Sequence, residues 1–259
     1  MSLYQAPEAL DPAKHAALTY QPDVSFRFAS EEVAVPLVAS EITTAARDYV
    51  VVFDTAKPAA YALLGIERGH NAYVTPQGQW RGRYRPATIR AYPFTIKAMG
   101  ETPEGKTRYA MVVDMASEHV NAPGGYLLFE EGKPTALLEK IKGILTNLEK
   151  DRIRLTRLVG QLEQHGLLVA RSLEVKSRKL GVSGFRVVDS EALAALSPEA
   201  LAELRDSGAL MLAYAQILSM ANLQDSPVAT AAADPGEAPE NLDELFDGGD
   251  DDFSFDFDS

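Results

Sequence analysis

The chain has 259 residues, with 37 Asp and Glu against 25 Lys and Arg, a formal net charge of −12, 46% apolar residues and no cysteine. That length and apolar content suffice for one sizeable core or two small ones, and the missing cysteines exclude a disulfide framework, a thiolate nucleophile, Cys-ligated zinc and iron–sulfur clusters. The charge is unevenly placed: twelve acids and no base lie between Asp225 and Ser259, so residues 1–224 hold 25 of each sign and are formally neutral.

The first 22 residues, punctuated by Pro7, Pro12 and Pro22, read as an arm packed on the body. They show no basic segment followed by an apolar run, so no secretory signal is expected. No window offers the roughly 18 uninterrupted apolar residues of a spanning helix, and a soluble, cytoplasmic chain without membrane insertion is expected. Val24 to Phe28 alternates with period two and predicts a strand, as does Val33 to Val38. Ser40-Glu41 opens a short helix to Arg47, and Tyr49 to Phe53 is a β-branched and aromatic run expected to be a buried strand.

From Ala59 to Asp114 short strands alternate with turns. Tyr61 to Ile66 is apolar, Asn71 to Val74 precedes a Pro76-Gln77-Gly78 turn, and Trp80 starts the next piece. Phe94 to Met99 and Tyr109 to Asp114 flank a loop whose Pro103 and Gly105 suit a hairpin. After Pro123-Gly124-Gly125, Leu137, Ile141, Leu145, Leu148, Leu155, Val159 and Leu162 recur at three- and four-residue steps and predict a helix from Thr135 to about His165, stopped by Gly166. Gly143 and Gly160 within it mark close contacts or breaks. Leu167 to Val175 reads as extended, Lys176 to Lys179 as a basic turn and Gly184 to Val188 as a strand. Three helices follow: Glu191 to Leu196, Pro198 to Arg205 with Ser197 as N-cap, and Ala209 to Leu223. The order of elements predicts an α+β fold: a β-rich N-terminal half of mostly antiparallel strands, one long helix and a C-terminal helical segment.

Several blocks of residues resemble the SapC-like bacterial family. Pro36-Leu37-Val38-Ala39-Ser40-Glu41 and Ala45 to Phe53 are similar to its early signature, while Leu64-Gly65, Asn71-Ala72-Tyr73-Val74 to Trp80 and Arg90-Ala91-Tyr92-Pro93-Phe94 are similar to its middle. The third block is the fullest: Gly184 to Asp189, Leu193, Leu196, Leu201, Leu204, Gly208, Tyr214-Ala215, Leu218-Ser219 and Asn222. The resemblance runs from about Pro7 to Leu223. It implies a single domain and a part in the production, export or display of bacterial surface-layer (S-layer) proteins. It brings no catalytic residue set and leaves the acidic tail outside, so the chain divides into a domain of residues 1–224 and a disordered acidic tail of 225–259.

Candidate chemistry is sparse. His15, His70, His119 and His165 lie far apart without metal-ligand spacing, so neither a metal nor a cofactor is expected. Ser183-Gly184 and Ser207-Gly208 lack the Gly-x-Ser-x-Gly frame of a nucleophile elbow and read as turns before a strand and a helix. No Gly-rich phosphate motif occurs.

The segment Trp80-Arg81-Gly82-Arg83-Tyr84-Arg85, continuing to Arg90, stands out because guanidinium groups interleaved with aromatic rings bind anions and stacked rings. It reads either as a turn or edge strand with its arginines paired to nearby acids or as a groove for an anion or acidic peptide. A neutral body lacks the footprint of a nucleic-acid binder, so no nucleic acid is expected. In the tail, Asp225 to Pro239 reads as a linker. Beyond it Leu245, Phe246, Phe253, Phe255 and Phe257 alternate with acids, the composition of a docking motif for a protein partner, of a C-terminal export signal, or of a plain solvated tail.

The favoured expectation is a non-enzymatic accessory or interaction protein, cytoplasmic or exported without a signal peptide, whose tail contacts a basic-aromatic groove of its own or of a partner. The alternative is an enzyme, enzyme subunit or ligand-binding module with a site assembled in space from Asp54, His70, Glu118 or Asp189 with the arginines.

Overall fold

The computed structural model describes residues 3–22, 24–101, 105, 107–175, 180–225 and 227–228. The strands, in chain order, are β1 (Pro7–Ala9), β2 (Thr19–Tyr20), β3 (Ala34–Pro36), β4 (Val51–Asp54), β5 (Ala60–Leu63), β6 (Phe94–Glu101), β7 (Thr107–Asp114), β8 (Tyr126–Leu127), β9 (Phe129–Glu130), β10 (Lys133–Pro134), β11 (Leu168–Val175) and β12 (Leu180–Val188). The helices are α1 (Ile42–Ala45), α2 (Ala87–Ala91), α3 (Ala136–Gln164), α4 (Ser190–Ala194), α5 (Pro198–Ser207), α6 (Ala209–Ser219) and α7 (Asn222–Asp225). The fold is α+β, and every pairing between these strands is antiparallel.

The larger sheet has the order β11-β12-β4-β5-β3. Its middle strand, β4, is buried on both faces, which is why its sequence is an unbroken Val-Val-Phe run rather than an alternation. Val51 and Phe53 point into the main core with Leu155, Val159 and Leu162 of α3 and Leu212 and Ala213 of α6. Val50 and Val52 point the other way, against Leu63, Phe185 and Val187, with Met220 and Leu223 packed alongside. Strand β12 begins earlier than its sequence suggests. It carries a bulge opposite Arg171 to Leu173, where Gly184 takes a φ of +86° that a side chain would strain. Ser183 therefore lies inside a strand and not in a turn before one.

The smaller sheet, β1-β7-β6, ties the N-terminal arm to the body. Buried Asp114 fastens it further: its carboxylate accepts from the backbone N–H groups of Gln5, Ala6 and Ala116 and from the Tyr92 hydroxyl. Phe94 and Val113 from this sheet join Leu18, Leu128, Phe129, Leu138 and Leu145 in a second core.

Helix α3 serves both cores. Its 29 residues span about 44 Å. Thr135 caps the start by accepting from Leu138 N, and Gly166, at φ +68°, ends it. Leu138 and Leu145 enter the smaller core, and Leu155, Leu158, Val159 and Leu162 enter the main one. Gly143 and Gly160 neither break the helix nor mark close approaches, since a Cβ at either position would meet nothing within 4 Å. Beyond the helix, Asp189 and Ser197 cap α4 and α5, and Gly208, at φ +91°, turns the chain from α5 into α6.

Val24 to Phe28 is not a strand. The chain there makes a 3-10 turn at Arg27–Ala29, and Phe26 and Phe28 both pack on the main core with their rings 6.2 Å apart. The alternation that suggests a sheet is here a pair of aromatic anchors on one side of a bend. Val228 is buried in the main core, so packing persists to that residue. The basic turn at Lys176 to Lys179 and the tail beyond Val228 lie outside the described residues. Replacing the fully buried Leu162 with Ala is expected to cost about 2–5 kcal/mol of stability, read as a lowered urea midpoint with an unchanged far-ultraviolet spectrum.

Candidate functional site

The segment from Trp80 to Arg90 is an irregular loop running into α2, which starts behind Pro86. Two carboxylates that sequence reasoning passed over hold it in place. Glu41, 3% exposed, accepts from Val38 N at 2.9 Å, Ala87 N at 2.7 Å and the Tyr84 hydroxyl at 2.9 Å. Asp48 accepts from Tyr84 N at 2.6 Å and from Arg83 Nε at 3.0 Å. Three donors around a buried carboxylate stabilise its charge. Burial nevertheless outweighs them and raises the Glu41 carboxyl above its ordinary range, with the N–H groups of Ala87 and Val38, the Tyr84 hydroxyl and the Arg90 charge opposing. The Tyr84 hydroxyl, itself beside Glu41, is pushed up to about 12 by burial and by that carboxylate.

The aromatic floor is equally constrained. Tyr49 donates its hydroxyl to Tyr84 O, while Trp80 Nε1 donates to both Tyr49 Oη and Tyr84 O at 3.2 Å. Tyr73 stacks on Trp80 at 6.0 Å and donates to Asp48 O at 2.6 Å. Gly82 fits this corner because it has no side chain: a Cβ there would come within 2.6 Å of Tyr49 Oη and 2.8 Å of Trp80 Nε1.

The six residues singled out from sequence fall into distinct roles. Trp80, Gly82 and Arg85 line one cleft of about 370 Å³ with Val24, Ser25, Phe26, Gly78 and Gln79. Phe26 meets Trp80 edge-on at 5.9 Å, and the Arg85 guanidinium lies over the Phe26 ring at 5.2 Å. Arg83 turns away to Asp48 and Arg47 O. Arg90 bonds Arg85 O and Tyr84 Oη and sits over the Tyr84 ring at 5.4 Å. Tyr84 thus acts as a strut between Glu41 and Arg90 rather than as a wall of the cleft. Arg81 is exposed, and its backbone N–H bonds Tyr73 O. Leu245, Phe246, Phe253, Phe255 and Phe257 lie outside the described residues.

The groups offered for a spatially assembled site serve local structure. Asp54 accepts from Ala56 N and Lys57 N, Asp189 caps α4, and His70 and Glu118 are exposed. Of the other histidines, buried His119 faces Gln21 O and Ser25 O with its two ring nitrogens and holds the arm. His15 accepts from Asp11 N, and His165 lies 3.5 Å from Glu203. Among the described residues no group of three or more His, Asp and Glu is placed to hold a metal, and no helix is long and apolar enough to cross a membrane. Two other grooves, of about 260 and 350 Å³, flank Arg152 between α3 and the Pro36-Leu37 segment. Their walls are mainly apolar, and their cations are paired, Arg152 with Glu149 at 2.5 Å and Lys57 with Asp54 at 4.0 Å.

A family model described as SapC matches residues 10–225, which takes in both cores and the loop that carries the cleft. The chain belongs to the SapC family. No curated protein and no solved structure matches it. The early block by which the SapC resemblance is read, Pro36 to Glu41, supplies the carboxylate that pins the loop, and the middle block from Asn71 to Trp80 supplies the aromatic floor.

Two outcomes follow from this geometry. Gly82→Ala is expected to destabilise the fold by roughly 1–3 kcal/mol and to shift the emission of Trp80, the chain's one tryptophan. A carboxyl whose folded pKa is raised contributes most below the ordinary carboxylate range and loses that contribution as pH rises through the raised value. The stability of the natural chain relative to Glu41→Gln should therefore fall as pH climbs above about 4. Urea midpoints of the two chains over a pH series test this, and a constant difference would contradict it.

Proposed function

We propose that this SapC-family chain is a non-enzymatic binding protein that serves the production, export or assembly of bacterial surface-layer proteins, acting from the cytoplasm or after export. The observation that carries the binding role is the cleft of Trp80, Phe26 and Arg85. Its floor is fixed by Tyr49, Tyr73 and Tyr84, so it is formed before any ligand arrives and little ordering cost is left for binding. The surface-layer part of the reading rests on the family resemblance.

An aromatic slot under a guanidinium suits a peptide in which large apolar side chains alternate with carboxylates: the ring fills the slot and an acid meets Arg85 beside it. The tail has this composition in Leu245-Phe246 and Phe253-Ser254-Phe255-Asp256-Phe257. We therefore assign the tail as a docking element for such a cleft, on its own chain or on a protein partner.

Because Trp80 is the sole tryptophan, its emission reports on the cleft directly. A peptide of residues 240–259 titrated into the chain ending at Val228 is expected to change that emission saturably, with a Kd of order 10 µM. Binding should weaken several-fold on raising salt from about 50 to 500 mM. Arg85→Glu should abolish it. An emission that does not respond to the peptide would refute the assignment.

A further inference from the structure

The apolar stripe of α3 advances by steps of four and three from Ile141 through Leu145, Leu148, Arg152, Leu155 and Val159 to Leu162. Leu145 packs in the smaller core and Leu155 in the main one, while Leu148, between them, belongs to neither. The seam between the two cores is therefore open along this part of the helix. The two grooves of about 260 and 350 Å³ lie there and share Pro36, Leu37 and Arg152 as walls.

Arg152 is the one break in the stripe, a cation where every other position from 141 to 162 is Ile, Leu or Val. Its Nε and Nη2 bond Glu149 at 2.7 and 2.5 Å, whereas its Nη1 makes no hydrogen bond among the described residues. Glu149 also accepts from the Tyr109 hydroxyl at 3.1 Å, which turns that carboxylate to its own partners. Lys57 lines the same groove as Arg152. Its amine lies 4.0 Å from Asp54, at the limit of an ion pair, and 5.7 Å from the centre of the Tyr61 ring. The Tyr61 hydroxyl raises the Lys57 amine and the Arg152 charge acts against it, so the two cations lie within range of each other. The charged residues lining the two grooves are Lys57, Arg152 and Glu149, two cations against one anion.

We infer that this seam binds a medium-chain carboxylate, an alkyl chain of about eight to ten carbons lying along α3 with its carboxylate between Arg152 and Lys57. A concave, mainly apolar site with a few convergent polar groups is the common form of a small-molecule pocket. The excess of one positive charge on the wall matches a monoanion, and the unbonded Nη1 gives a carboxylate a charge-assisted donor. Two measures set the chain length. Leu145 and Arg152 are seven residues apart, about 10.5 Å of helix, and a single-bonded chain advances about 1.2 Å per bond. That allows about nine bonds. The smaller groove, of about 260 Å³, holds nearly the same number of methylenes at roughly 30 Å³ each, the share of one water molecule. Leu37, Phe94, Leu145 and Leu148 flank the chain. The site shares no lining residue with the Trp80 cleft, so it stands or falls independently of the peptide-binding role.

Isothermal titration of decanoate into the full chain is expected to show one site with a Kd of about 10–100 µM. Each methylene removed from decanoate should weaken binding about fourfold, and palmitate should gain nothing over decanoate because the groove is already full. The neutral 1-decanol should bind at least about tenfold more weakly than decanoate. Arg152→Leu, which completes the apolar stripe, should weaken decanoate by at least about tenfold with an unchanged far-ultraviolet spectrum. Lys57→Ala, at a side chain 62% exposed, should weaken it several-fold and supplies the same reading should the first variant not fold. Trp80 emission should stay constant throughout. Absence of binding at about 1 mM decanoate overturns the proposal, as does undiminished binding in both variants. Decanol binding as tightly as decanoate overturns the placing of the carboxylate. Binding that shifts Trp80 emission and is competed by the peptide of residues 240–259 would put the ligand in the Trp80 cleft and overturn the seam as its site.

Discussion

The structure depends on one amphipathic helix being long enough to close two cores. Neither sheet buries its inner face alone: the smaller has three strands, and an isolated sheet of that size is marginal in water. Helix α3 resolves both by presenting Leu138 and Leu145 to one sheet and Leu155, Val159 and Leu162 to the other along a single stripe. Because the stripe belongs to one rigid element, the position of the small sheet relative to the large one is set by helix geometry. The segments between them, including the Trp80 loop, inherit that placement.

Buried carboxylates then do locally what the helix does globally. Glu41, Asp48 and Asp114 each accept at least one backbone N–H from a segment distant in sequence, an arrangement in which donors that a loop would otherwise leave unsatisfied supply the stabilisation. For Glu41 desolvation outweighs the hydrogen bonds. The outcome is a loop with little freedom, on which Trp80 and Phe26 stand as fixed walls. In the proposed binding role such a cleft selects shape at small entropic cost, whereas the Arg85 guanidinium contributes mainly orientation and rate of encounter.

Much of the architecture is legible residue by residue. The spacing from Leu137 to Leu162 gives α3 to within a residue at each end, since a 29-residue periodic stripe with a Thr cap and a Gly stop has no competing conformation. The hairpin from Phe94 to Asp114 and the buried run ending at Phe53 are as clear, because local alternation and branching decide them. Val24 to Phe28 misleads for the same reason in reverse: two aromatics two residues apart satisfy a strand pattern, but long-range ring contacts with Trp80 and Tyr92 bend the chain. Helix α2, five residues behind a proline, is too short for periodicity to announce it. Glu41 within Ala39-Ser40-Glu41 looks like an ordinary polar residue at a helix start, and only its non-local partners give it its role.

The amino-acid sequence by itself determined the α+β class, the SapC family and the placing of the entire net charge beyond residue 224, since composition, periodicity and motif spacing are properties of neighbouring residues. Tertiary structure alone decided how the arginines divide, Arg83 to Asp48 and Arg85 to the Phe26 ring, because ion pairing depends on which side chains long-range packing brings within a few ångströms. It also decided which side of α6 meets solvent. That helix is apolar nearly all round, so its own pattern favours no face, and the surroundings of α3, α5 and β12 bury Leu212 while leaving Leu218 outside.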